Sequence, residues 1–150
     1  MFIDPSLTGK ENVLLLLAQR LSEPVSAEMI QFGLPTSVDI DEGLANTNTK
    51  VIIEAEPGSG FSGHLALYYR RLDLAEFVLE QPYYHPLTGD ETVASLLTTV
   101  CHHLNVRSSD VSLSLSSIPE VDAPLSIQIV ANQSSLLYVG KIEVLLLPPE

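Results

Sequence analysis

NTNTKVIIEAEPGSGFSGHLALYYRRLD, residues 46–73, is the stretch whose reading decides the fold. Val51, Ile53 and Ala55 alternate with Lys50, Ile52 and Glu54, and Leu65, Leu67 and Tyr69 alternate with His64, Ala66 and Tyr68. A period of two on both sides of a short turn is the signature of a β-hairpin with one buried face. Pro57-Gly58-Ser59-Gly60 supplies the reversal, because proline pre-sets the entry and glycine accepts positive φ. Phe61-Ser62-Gly63 opens the return strand.

Upstream, Thr8-Gly9-Lys10-Glu11 carries the T-x-x-E pattern of a capping box and leads into a leucine-rich run that Pro24 stops. This predicts a helix over about 10–22 with Leu14, Leu17 and Leu21 on its buried face. Residues 26–34 suggest a strand, and 35–49 read as an acidic surface loop. Downstream, Thr88-Gly89-Asp90-Glu91 repeats the capping pattern before a second apolar segment that includes Leu97 and Leu104. Val111-Ser112-Leu113 alternates as a strand. Leu125, Ile127, Ile129 and Ala131 pair in pattern with Tyr138, Gly140, Ile142, Val144 and Leu146 as a second hairpin.

The two halves are one pattern written twice. Val51, Ile53 and Ala55 align with Ile127, Ile129 and Ala131; Phe61-Ser62-Gly63 aligns with Tyr138-Val139-Gly140; Leu65, Leu67 and Tyr69 align with Ile142, Val144 and Leu146. The same faces are apolar in both copies. The expectation is an α+β fold with a mainly antiparallel β-sheet of about six strands and two helices, built from duplicated helix-strand-hairpin halves at about 8–74 and 88–147. A chain of 150 residues is of single-domain size, so one fused core is expected. Gly58, Gly60, Gly63 and Gly140 are the turn positions of this scheme.

Composition narrows the function classes. The net charge is −12, with 5 Lys/Arg against 12 Asp/Glu in the first 80 residues and 2 against 7 in the last 70. No basic stripe is present to neutralise a phosphate backbone, which argues against nucleic-acid binding. The longest apolar run of the first helix is far too short for a membrane span, and Asp4 breaks the basic start of a secretory signal. A single cysteine, Cys101, excludes an intramolecular disulfide.

Candidate chemistry is sparse. Cys101-His102-His103 holds metal-ligand types, but neighbours on a helix point about 100° apart and cannot converge on one ion. The simpler reading buries Val100 or Cys101 and leaves the histidines at the helix end. Gly58–Gly63 lacks the lysine and the following helix of a phosphate loop. Asp39-Ile40-Asp41-Glu42-Gly43 lacks the ordered spacing of a calcium loop. Arg70-Arg71 has Asp73 beside it for local pairing. No serine or cysteine stands in a hydrolase motif. No catalytic residue, metal site or cofactor is assigned; the sequence points to a protein that is not an enzyme.

Asn48-Thr49, then Val51–Ala55, Gly58-Ser59-Gly60-Phe61-Ser62-Gly63 and Tyr68-Tyr69-Arg70-Arg71-Leu72-Asp73 form a string that resembles a family of virion structural proteins of large tailed bacteriophages. The likeness continues through Leu96-Leu97, Leu104, Asp110 and Ala131…Ser134-Ser135…Tyr138-Val139-Gly140, and departs at Asn132–Leu137, where a glycine-bearing turn is replaced. The resemblance implies a tail, baseplate, neck or head-decoration subunit, made in the host cytoplasm and located in the virion. Its partners would be other virion proteins and copies of itself, with no nucleic acid or membrane. The alternative is a soluble acidic phage protein that binds a host factor. Leu145-Leu146-Leu147 ends the chain with apolar side chains on both faces, so Ile142, Val144, Leu145, Leu146 and Leu147, or the Leu113 strand, are the expected edge and intermolecular contact.

Overall fold

A computed structural model describes residues 3–39 and 46–150. The α+β class and the mainly antiparallel pairing hold. The strands fall in two four-stranded sheets and one two-stranded sheet in place of one continuous sheet, and the chain divides into two compact units. The first runs up to Leu72 and takes in Gln133–Leu137; the second comprises Asp73–Asn132 and Tyr138–Glu150.

The first unit opens with α1 (Gly9–Leu21). Its capping box is complete: Thr8 Oγ1 accepts the Glu11 N–H, and the Glu11 carboxylate accepts the Thr8 N–H. The helix buries Asn12, Val13, Leu16 and Leu17, while Leu15 is exposed. Of the expected face, Leu17 is buried and Leu14 half-buried. Leu21, in the last turn, is 40% exposed, because the chain leaves the helix at Ser22 in a left-handed conformation. A 3-10 turn, Ala27–Met29, leads into β1 (Ile30–Phe32). β2 (Thr36–Ser37) precedes β3 (Thr49–Ala55), which pairs antiparallel with β1, with β2 and with β4 (His64–Tyr69). Val51, Ile53, Leu67 and Tyr69 turn to one face and form the core with Val13, Leu16, Leu17, Ile30 and Leu136. Leu65 packs against it half-buried.

β5 (Leu72–Asp73) spans the boundary. The second unit continues with the single turn α2 (Leu74–Phe77), capped by Asp73, and with β6 (Tyr83–Pro86). α3 (Val93–Leu104) buries Leu96, Val100, Cys101 and Leu104; Leu97 is half-buried. Its cap is not the expected Thr88/Glu91 pair. The Glu91 carboxylate instead takes the N–H groups of Thr88 and Gly89 in a preceding turn, and Thr92 with Ser95 forms the capping box. A 3-10 turn, Ser108–Asp110, then leads into β7 (Val111–Leu113), followed by β8 (Leu125–Ala131), β9 (Tyr138–Val139) and β10 (Lys141–Leu147). The sheet order is β6-β10-β8-β7, with β6 parallel to β10.

The duplication is visible bond by bond. Each unit runs helix, 3-10 turn, short strand, hairpin. Ile30↔Ala55 and Phe32↔Ile53 in the first correspond to Val111↔Ala131 and Leu113↔Ile129 in the second. Ile53↔Leu65 and Val51↔Leu67 correspond to Ile129↔Ile142 and Ile127↔Val144. The helices match when the left-handed caps Ser22 and Asn105 are superposed, which sets Val13 on Leu96 and Leu17 on Val100. That register differs by nearly one turn from the one the T-G-x-E motifs suggest, because the second motif lies outside its helix.

Of the two expected edges, the Leu113 strand is β7 and lies at the end of its sheet, whereas the other fails on topology. Ile142, Val144 and Leu146 are buried, Leu145 and Leu147 are half-buried, and β10 is paired on both sides. It is an interior strand, with its backbone groups already occupied, so it is not the predicted open edge. The edges of this sheet are β6 and β7; those of the first are β4 on one side and β1 with β2 on the other.

Candidate functional site: a buried arginine clasp

The polar residues of the 46–73 string converge on one place in the first unit. A bulge makes this possible. Asn48 N–H donates to the Tyr69 carbonyl while Thr49 faces Tyr69 in register, so two residues of one strand oppose one of the other. The bulge turns the Asn48 side chain across the hairpin, where Oδ1 accepts the Arg71 N–H at 2.8 Å and Nδ2 donates to the Arg71 carbonyl at 3.1 Å. Asn48 Oδ1 also accepts from Thr49 Oγ1 at 2.7 Å.

Arg71 then runs inward and is 5% exposed. Nε donates to Thr49 Oγ1 at 2.8 Å, Nη1 to the Ser135 carbonyl at 2.9 Å, and Nη2 to Ser37 Oγ at 3.4 Å. The Tyr69 hydroxyl donates to the Leu136 carbonyl at 2.6 Å, and the Leu72 N–H to the Leu137 carbonyl at 2.9 Å. Three consecutive carbonyls, of Ser135, Leu136 and Leu137, are thus held by donors from one end of the first hairpin. Ser135 is 2%, Leu136 6% and Leu137 0% exposed, so this turn is a packed element. Gly9 lies so close that a Cβ there would stand 2.7 Å from Leu136 Cβ, which accounts for glycine at that position.

Burial lowers the Arg71 pKa, with the Tyr69 phenol opposing that shift, and burial holds the Tyr69 phenol well above its ordinary value. A neutral phenol and a charged guanidinium that both act as donors to carbonyls form a fixing device. Such an arrangement locks a turn in place and has no open coordination or reaction position.

The other predicted positions are scattered. Gly58, Gly60 and Gly63 take φ of +81°, +90° and +82° in the first hairpin turn, and Gly140 takes +82° in the second. Gly63 and Gly140 are equivalent: each carbonyl accepts, at 3.0 Å, from the alanine N–H that ends the facing strand, Ala55 or Ala131. Cys101 is buried and its thiol is pushed up to about 11 by burial, unlike an activated nucleophile. His103 stacks on Tyr83 at 4.7 Å with Nε2 3.7 Å from the Glu80 carboxylate. Among the described residues no three His, Cys, Asp or Glu side chains group as metal ligands. Ile40, Asp41, Glu42 and Gly43 of the acidic loop lie outside the described residues.

Two grooves mark the first unit. One of about 200 Å³ is lined by Leu17, Leu21, Val25, Phe61 and Leu65, with His64 as its titratable side chain; another of about 530 Å³ is lined by Phe32, Leu34, Ser134 and Leu136, with Lys10. The Lys10 ammonium sits 5.8 Å from the Phe32 ring centroid. Ser62 shares the first lining with His64, and Ser134 shares the second with Lys10; among the described residues no hydrogen bond joins either pair.

The turn at 133–137 is the packed element that sequence reasoning missed. Its signal was present: Leu136-Leu137-Tyr138 continues an apolar run through a turn, where an exposed loop would be polar. No helix among the described residues is long and apolar enough to cross a membrane. No curated protein and no solved structure matches the chain. Residues 5–150 match the model of DUF7941, a family of unknown function. The match spans nearly the whole chain, which therefore belongs to the DUF7941 family.

Proposed function

We propose that this chain is a non-enzymatic structural subunit of a tailed bacteriophage particle, assembling through protein–protein contacts with other virion proteins and with itself. The observation that carries the reading is how the resembling string is used. Asn48, Thr49, Tyr69 and Arg71 direct their polar groups to one another and to the 133–137 turn. A string devoted to fixing the backbone is what a load-transmitting subunit requires, whereas an enzyme exposes polar groups to a reacting molecule. The duplicated architecture fits the same role, since two similar units give one chain two similarly shaped surfaces. Particles assembled without this chain should lack a defined component by electron microscopy, or stall at one assembly stage. Morphologically complete, fully infectious particles formed in its absence would overturn the proposal.

The net charge of −12 favours a second reading, an acidic phage protein docking on a basic host factor. It predicts recovery of the chain with a host protein from infected cells and its absence from purified particles.

A further inference from the structure

The two units are built alike but finished differently. In the second, the outer side of β10 is covered by β6, in register from Val144↔Tyr83 to Leu147↔Pro86. The equivalent strand of the first unit is β4, and among the described residues only β3 pairs with it. The side left open follows from the ladder. Ala55 N–H donates to the Gly63 carbonyl and Ile53 faces Leu65, so the backbone groups of Gly63, Leu65, Leu67 and Tyr69 point to β3. Those of His64, Ala66 and Tyr68 point away from it.

This edge lacks the usual protections. His64-Leu65-Ala66-Leu67-Tyr68-Tyr69 contains no Lys, Arg, Asp, Glu, Pro or Gly, in a chain of net charge −12. Six residues with no Asp, Glu, Lys or Arg, two of them strand-favouring tyrosines, leave an open edge that is a template for another strand. The sequence also says which strand fits. Laid antiparallel on a second β4 about a two-fold axis at Ala66, the outward-pointing groups meet in order: Ala66 opposite the second copy's Ala66, and His64 opposite its Tyr68. On the other face Leu65 stands opposite its Leu67. The methyl groups leave room at the axis, an aromatic pair lies to each side, and Lys50 on the neighbouring strand lies 5.9 Å from the Tyr68 ring centroid. No side chain of the strand opposes a like charge.

The geometry points to the outer edge of β4 as a self-association surface, pairing antiparallel with β4 of a second copy about a two-fold axis at Ala66 and extending the first sheet across two chains. An isologous contact of this kind closes on itself and gives a dimer. It does not depend on the particle reading, since it concerns the free protein.

Sedimentation velocity tests it on the full chain and on two variants, Ala66→Lys and Ala66→Glu, mixed and separate. Wild type should sediment as a dimer. Each variant alone should be monomeric, because identical charges then face each other at the axis, with a far-UV circular dichroism spectrum like that of wild type. The equimolar mixture should regain the dimer. A monomeric wild type, a dimer that persists in either variant alone, or a mixture that stays monomeric would overturn the contact. Hydrogen exchange on wild type gives a reading that needs no variant. Amides of Ala66 and Tyr68 should gain protection as protein concentration rises, while those of Leu65 and Leu67 stay protected throughout. Concentration-independent exchange at Ala66 and Tyr68 would equally overturn it.

Discussion

Arg71 Nη1 lies 2.9 Å from the carbonyl oxygen of Ser135, a residue 64 positions further along the chain. This one bond ties the end of the first hairpin to the turn of the second. With Arg71 at 5% exposure, its removal takes a charged donor away from the Ser135 carbonyl and Thr49 Oγ1. Arg71→Ala should destabilise the protein by about 1–3 kcal/mol, the cost of leaving buried neutral acceptors short of a donor. Arg71→Met keeps the stem and removes the desolvated cation, so it should cost less than alanine. Urea unfolding checks both; an alanine variant within about 0.5 kcal/mol of wild type would remove the clasp from the account.

Gly63 and Gly140 share φ of +82° and the same hydrogen bond, but their surroundings differ. A Cβ on Gly63 meets nothing within 4 Å, whereas one on Gly140 would stand 2.6 Å from Asp73 Oδ1. Gly63→Ala should therefore cost only the backbone penalty, about 1–2 kcal/mol. Gly140→Ala should cost more, because Asp73 must move and its cap on the Ala75 N–H at 3.0 Å is disturbed. Equal losses in thermal or urea unfolding would contradict this.

Cys101 should resist thiol–disulfide exchange in the folded protein and react once the chain unfolds, as measured with a chromogenic disulfide reagent. Burial raises its pKa from 9.0 to about 11 and also raises that of Tyr69. A raised folded pKa means that the stabilising contribution is complete below the unfolded value and is lost as pH climbs to the folded one. Stability should hold up to about pH 9 and decline between pH 9 and 11, with a shallower decline in Cys101→Val. A flat profile across that range would count against the buried thiol.

The hairpins, their inward faces and the duplication were legible because strand alternation is local: Val51, Ile53, Leu65 and Leu67 show their faces without any tertiary information. α1 was legible through Thr8 and Glu11. Three things were not. β6 lies between Pro82 and Pro86, which read as a connector, yet a strand pairing through one side tolerates both ends; missing it made β10 look like an edge. Two successive capping patterns, Thr88/Glu91 and Thr92/Ser95, misplaced the start of α3. The division of the strands between two sheets depends on which edges meet, and alternation is silent on that. Of the site, the sequence displayed every clasp residue, but the partners of Arg71 lie far off at Ser37 and Ser135, and only the fold brings them in.

The central claim is that this chain is a structural part of a phage particle, and quantitative mass spectrometry of purified particles tests it most directly. The account predicts the chain at a fixed stoichiometry to the other virion proteins, retained through density-gradient purification. Absence from particles, or a trace amount that falls with each purification step, would contradict it.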